Sequence, residues 1–339
     1  MLAFVIRRLL QSIVVLLAVA AVAFVIFNYV GDPINAMVGQ DTSQQDREAL
    51  RERLGLNNPL PVRYVEFVWR AIHGDFGISY RLAEPVLPAI LRRFPATMEL
   101  SLVAALLAVV VGIPLGVYTG LYPRRWLSRF FQVTSLIGVS LPTFLIGILL
   151  ILIFSVLCTF TAPKIGIDPR YCLPSSGRGD LTDLGWWKTG FLTVGGLKAL
   201  ILPSITLGLF QMTLIMRLVR AEMLEVLRTD YIKFARARGL SDRTVHFGHA
   251  LKNSLVPVIT ITGLQLGAII AFAIITETVF AWPGMGQLFV QSVYSTDIPV
   301  MAAYLVFVGF IIVIINLITD LLYFAVDPRL RDSAFRGAR

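Results

Sequence analysis

Six apolar stretches, at residues 9–30, 97–121, 130–160, 199–219, 255–278 and 300–326, leave this chain few folds to choose from. Each is long enough to cross a bilayer, which takes roughly 20 helical residues. Backbone in hydrocarbon must satisfy its own hydrogen bonds, so stretches of this length are expected to be helices. Charged residues make up only 15% of the chain, against about 25% in soluble domains. The expected class is all-α and polytopic, with six transmembrane helices. Residues 1–30 form the first helix, 31–96 a small external subdomain, 97–326 a five-helix core, and 327–339 a tail.

The net charge of +9 could point to nucleic acid, but the positive residues lie between the apolar stretches. Their placement fits membrane orientation, since basic residues gather on the cytoplasmic side. Arg124, Arg125 and Arg129 occupy one short link, and Arg329, Arg331, Arg336 and Arg339 the tail, whereas 280–299 has neither Lys nor Arg. The reading places both termini and the segment 229–257 in the cytoplasm, with no nucleic-acid partner. The first stretch starts like a signal peptide, but it is too long for an h-region and no small-residue cleavage site follows. It is expected to remain as an uncleaved helix.

Within the external segment, 43–54 and 62–72 have helical periodicity, broken around Asn57, Asn58, Pro59 and Pro61. Gly112, Gly116 and Gly120 repeat at four-residue spacing, as do Gly263 and Gly267; both sets allow close helix contact, within this chain or with a second subunit. Pro114, Pro142, Pro203 and Pro257 are expected to bend or break their helices locally.

The longest charged segment between apolar stretches is 229–257, and it has ordered grammar. Thr229 and Asp230 suit a helix N-cap, Gly239 a C-cap with positive φ, and Ser241 the cap of a second helix running towards Pro257. Tyr231, Phe234 and Ala235 recur at i, i+3, i+4 and so define one face of a short helix, which suits a partner's cleft or the inner ends of the chain's own helices. Arg236 and Arg238 would flank that contact.

Asp230-Tyr231-Ile232, Ala235-Arg236-Ala237-Arg238-Gly239-Leu240 and His249-Ala250-Leu251-Lys252-Asn253, followed by Pro257, resemble the cytoplasmic EAA loop of ABC importer permeases. Their wording is that of the dipeptide, oligopeptide and nickel group. Gly239 keeps the register of the motif, but Lys233 stands at its Glu position and Phe234 at its first Ala. Gly31-Asp32-Pro33 and His73-Gly74-Asp75-Phe76-Gly77-Ile78-Ser79 also look like landmarks of peptide permeases.

The resemblance implies a type I ABC importer permease-like fold in the bacterial inner membrane. It implies a non-catalytic subunit that binds no cofactor of its own and pairs with a second homologous permease. Two ATPase subunits would carry ATP and Mg, and an external solute-binding protein would deliver the solute. The ATPase-coupling residues would be Asp230, Tyr231, Phe234, Ala235, Arg236, Ala237, Arg238, Gly239 and Ser241. Di- or oligopeptides are the expected solutes, with nickel or another small solute as the alternative. A self-sufficient secondary carrier or channel is the rival from another class, and an intramembrane hydrolase a more distant one.

Other chemistry is poorly supplied. No Gly-Lys pair exists, so the chain has no Walker A phosphate loop. No charged residue or His lies at the centre of an apolar stretch, where an ion-coupled carrier usually needs one. Gly177-Arg178-Gly179-Asp180 matches a GxGD pattern but reads as a turn in a polar loop, and His246 with His249 lacks further metal ligands. Glu99 and Glu277 fall near the outer ends of their stretches. They are expected to attract the ammonium of an incoming peptide, unless each caps a helix or pairs with Arg92 or Arg93. Cys158 and Cys172 face the oxidising side and are either bridged or two free thiols. Trp186-Trp187 suits an interfacial anchor.

Overall fold

The computed structural model describes residues 2–29, 43–53 and 57–326. Gly31-Asp32-Pro33 and the tail arginines lie outside the described residues. The chain forms α1 (Leu2–Tyr29), α2 (Gln44–Arg53), α3 (Leu60–Ile72), α4 (Val86–Leu121) and α5 (Trp126–Ser140). It continues with α6 (Thr143–Ile165), a two-residue hairpin of β1 (Thr182–Asp183) and β2 (Lys188–Thr189), and α7 (Val194–Val226). Then come α8 (Asp230–Ala237), α9 (Lys252–Val279, entered through a π-helical turn at Thr244–Leu251), α10 (Met285–Tyr294) and α11 (Ile298–Val326). Within these, five segments are long and apolar enough to cross a membrane: Val5–Ile26, Val86–Leu121, Thr143–Ile165, Val194–Val226 and Ile298–Leu321. The 28-residue α9 has the length of a further one.

Among the described residues the long elements are all helices and the small hairpin joins two of them, as the apolar stretches require. Two boundaries differ from expectation. The second long helix begins at Val86 rather than near 97, because its early turns place Arg92 on the surface, paired with Glu84, while Val86, Ala89 and Ile90 are buried. The stretch 130–160 is not one helix. Leu141 adopts an extended conformation (ψ 139°) before Pro142, so α5 ends and α6 starts there. Pro142 therefore breaks the chain, whereas α4 runs through Pro95 and Pro114, α7 through Pro203 and α9 through Pro257.

The bundle is organised around α4 and α7, which pack along much of their length, with α9 against both. The approach is close enough that a Cβ at Gly116 would lie 2.6 Å from Val219 Cβ and 2.7 Å from the Met216 carbonyl. Only glycine leaves room for that contact. Gly112 and Gly120 face Ile215 and Met223 in the same way, and Gly263 and Gly267 face Thr319 and Ile312 of α11. These glycines therefore serve contacts within this chain. At one end the core is built from Val86, Ile90, Ile270, Met285, Leu288 and Val300. At the other, Val117, Val219, Met223, Ile232, Ala235 and Val245 close it.

Candidate functional site

The segment after α7 makes a compact projection. α8 ends in a glycine turn: Gly239 has φ +76°, its N–H donates to the Arg236 carbonyl at 2.9 Å, and the Leu240 N–H donates to the Ala235 carbonyl at 3.3 Å. This is the paired closure that a left-handed residue gives a helix C-terminus. Ser241 Oγ then accepts from the Thr244 N–H at 3.4 Å and bonds Thr244 Oγ1 at 2.9 Å, starting the next helical segment. Thr229 sits at the N-cap of α8, but its hydroxyl donates back to the Val226 carbonyl at 2.6 Å and caps nothing. Asp230 pairs with Lys233 at 2.8 Å.

The three residues expected to share one face are divided. Ala235 is buried with Ile232 on α7 and the π-helical turn, while Tyr231 and Phe234 are 40% and 64% exposed. The same i, i+3 spacing fits Ile232 and Ala235, and only the neighbouring helices decide which pair turns inward. Tyr231 is nevertheless tied down, its hydroxyl oxygen accepting from Asn253 Nδ2 at 2.7 Å. The Arg238 guanidinium lies 5.8 Å from the Phe234 ring centre. Arg236, Ala237, Arg238, Gly239 and Ser241 are all exposed. Leu240 and Phe247 at the same end are also exposed, and the periodicity of α8 alone does not include them.

Glu99 and Glu277, expected at an open mouth, are both buried, at 1% and 0% exposure. Glu99 takes a 2.5 Å ion pair from Arg178, a 3.0 Å bond from Trp187 Nε1 and a 3.3 Å bond from the Gly190 N–H. Arg178 also donates to the Lys188 carbonyl at 2.7 Å. Glu277 accepts from Thr97 Oγ1 at 2.6 Å and from the Gln287 N–H at 2.9 Å, at the N-terminus of α10. A helix N-terminus favours a carboxylate, so Glu277 caps α10 as its alternative reading allowed. Neither Arg92 nor Arg93 is the ion-pair partner of Glu99; the partner comes from the GxGD turn, where Gly177 (φ +78°) and Gly179 (φ +66°) set Arg178 inward.

The same end carries a third anchor. Asp297, 1% exposed, accepts from Ser79 Oγ at 2.5 Å and from the Tyr80 and Arg81 N–H groups, each at 3.2 Å. Burial, with the Asp297 carboxylate nearby, pushes the Tyr80 hydroxyl up to about 12. Trp282 Nε1 donates to the Ala96 carbonyl at 2.9 Å. Cys158 and Cys172 are bridged, with Cα atoms 5.8 Å apart. Trp187 is held by Glu99, leaving Trp186, 82% exposed, as the open ring of the pair.

Comparison with known proteins adds family-level information. Residues 112–332 match the family described as "Binding-protein-dependent transport system inner membrane component", and residues 1–101 match its N-terminal counterpart. The "Oligopeptide transport system permease protein AppB" of Bacillus subtilis (strain 168) is 37% identical over 340 residues, covering 97% of this chain and 99% of the relative. The "Di/tripeptide transport system permease protein DppB" of Pseudomonas aeruginosa (strain UCBPP-PA14) is 38% identical over 346 residues, covering 98% and 99%. Among solved structures, an inward-facing MetNI methionine ABC transporter chain superposes with a TM-score of 0.51 at 20% identity. It covers 70% of this chain and 96% of that one. That likeness concerns the fold.

Proposed function

The chain belongs to the binding-protein-dependent transport system inner membrane component family, and on that premise we propose that it is a permease subunit of an ATP-driven importer of di- or oligopeptides. It is a multi-pass inner membrane protein. The observation that carries the solute class is the end-to-end similarity to permeases named for oligopeptides and for di- and tripeptides.

In this reading the α4–α7–α9 bundle forms half of a translocation path, and a second, homologous permease supplies the other half. An external binding protein delivers the peptide. Two ATPase subunits bind and hydrolyse ATP with Mg, while this chain does no chemistry itself. The termini and the projection 229–257 face the cytoplasm, as the Arg124–Arg125–Arg129 link on the same side supports.

The coupling contact is then the exposed part of the projection. Tyr231 and Phe234 offer apolar surface to a cleft on the ATPase, in the helix-in-groove manner, and Arg236 and Arg238 meet acidic residues at its rim. Asp230, Ala237, Gly239 and Ser241 shape the segment that presents them. Ala235 acts from the inner side by packing on α7, so that a push on α8 reaches the bundle. Force continues into α9 through the helical segment after Ser241, which runs unbroken through Pro257.

The test is reconstitution of the purified complex with its binding protein and a panel of peptides. Peptide-stimulated ATP hydrolysis, with the ATPase copurifying, is the expected result. A chain that transports without any copurifying ATPase overturns the reading. Stimulation by a nickel chelate and not by peptides overturns the solute class alone.

A further inference from the structure

Helix α3 has three stripes of different chemistry, and together they define where it lies. Tyr64 and Phe67 recur at i, i+3 and face α1: the Phe24 ring is 5.6 Å from Tyr64 and 5.9 Å from Phe67, and Tyr64 donates its hydroxyl proton to the Leu17 carbonyl at 2.7 Å. Arg63, Glu66 and Arg70 form a charged stripe, in which Arg63 bonds Asn28 and Arg70 pairs with Asp75 at 3.2 Å. Between these lies an apolar stripe of Val62, Val65, Trp69 and Ile72, with exposures of 45%, 65%, 65% and 73%. It is turned about 100° round the helix from the charged one.

The depth of this open stripe is fixed by its neighbour. Val65, Val68, Trp69 and Ile72 line one groove with Tyr64 and Leu17 of α1. Leu17 lies well inside the apolar segment Val5–Ile26, about 13 Å along the helix from Ile26. The groove is also continuous with the exposed apolar side of α1 at Leu10, Ile13 and Val14. A surface beside a membrane-spanning helix at that depth adjoins hydrocarbon. The charged stripe suits the headgroup and water side of an interfacial helix, and the Trp69 ring, 4.5 Å from the His73 ring, suits the edge of its apolar side.

We propose that α3 is an interfacial membrane helix, with Val62, Val65, Trp69 and Ile72 in the acyl region of the leaflet that surrounds the C-terminal half of α1. Its partner is lipid. The helix ends at His73, followed by the Gly74 turn (φ +75°), after which the chain rises to the Ser79–Asp297 anchor. Lipid therefore holds one end of this external segment, and the bundle holds the other.

Both cysteines of the chain are bridged, so an introduced cysteine is the one free thiol for a spin label. Val65→Cys, Trp69→Cys and Ile72→Cys are labelled singly in the full chain, in lipid nanodiscs, with Leu10→Cys as the bilayer reference and Glu66→Cys as the aqueous one. Relaxation by oxygen and by a water-soluble nickel chelate is then compared. The expected result is an oxygen-to-nickel ratio at 65, 69 and 72 that matches position 10 and exceeds position 66 several-fold. A ratio equal to that at 66 means the stripe faces water, and protection from both reagents means a protein covers it. Either outcome overturns the proposal. Ile72, the most exposed of the three, provides a reading even if a label at Val65 disturbs α3.

Discussion

The two ends of the bundle handle their turns and polar groups in opposite ways. At the end formed by residues 76–98, 158–193 and 277–298, buried carboxylates hold the loops: Glu99 takes Arg178, Glu277 caps α10, and Asp297 binds the 79–81 turn. The positive-φ residues other than glycine among the described residues, Ala83, Ala281 and Thr296, are all there. Backbone of that kind costs about 1–3 kcal/mol and persists only where the surroundings over-determine it. At the opposite end the sharp turn of the projection is a glycine, Gly239, with no atom near enough to touch an added Cβ. Both ends leave rings in the open, Phe234 and Phe247 here and Trp186 and Tyr294 at the other, so the contrast lies in the turns and the buried carboxylates. One end is tied by buried ion pairs and hydrogen bonds across the chain, and the other turns on an unconstrained glycine.

The largest effect is expected from breaking the first end at its ion pair. Glu99→Ala strands Arg178 in a buried site and should cost about 3–5 kcal/mol, read as a fall in thermal unfolding temperature of the detergent-solubilised protein. The double variant Glu99→Ala/Arg178→Ala removes both charges and should recover part of that loss. Equal losses in the two variants would show that the pair does not pin the loop.

At the opposite end, Gly239→Val tests the turn by itself. Since a side chain would meet no neighbour there, the cost of about 1–3 kcal/mol is wholly conformational and local. The variant should insert normally and lose ATPase copurification, which pull-down from solubilised membranes reports. Normal copurification and transport would remove the projection as the coupling element.

Ala281→Gly reverses the experiment. Ala281 is exposed and holds φ +45°, so glycine relieves strain and should raise stability by up to about 1 kcal/mol. A clear loss of stability would mean that the anchored end depends on the methyl group itself.

The smallest stability effect belongs to Phe234→Ala. A 64% exposed ring contributes little to the monomer, and the unfolding midpoint should shift by no more than about 0.5 kcal/mol. ATPase binding should nevertheless weaken at least tenfold, about 1.4 kcal/mol, by titration against the isolated ATPase. Unchanged binding would leave Tyr231 and the arginines to account for the contact.

Hydropathy made the long helices legible, because length and apolar run are local properties. The early start of α4 was hidden because Arg92, Arg93 and Pro95 make its first turns look like loop, although the helix simply extends beyond the apolar stretch. The α5–α6 break was signalled by Pro142, but Pro114 and Pro203 carry the same signal inside intact helices. Gly239 was readable from its position after a basic helix. The inward turn of Ala235 and the pairing of Glu99 with Arg178 were not, since both depend on partners brought from distant parts of the chain.

The Glu99–Arg178 pair also bears on the order in which the protein is made. The two residues are 79 positions apart, and α4 is synthesised first. At about 5–20 residues per second, roughly 4–16 s pass before Arg178 leaves the peptidyl-transferase centre. During that interval α4 holds a carboxylate whose countercharge does not yet exist, and such a group in a membrane helix is costly. Chains stalled before residue 178 should therefore keep Glu99 reactive to a water-soluble carbodiimide, and chains stalled well beyond residue 226 should protect it. The helix at the centre of the finished bundle is, on the ribosome, made before the partners that hold it.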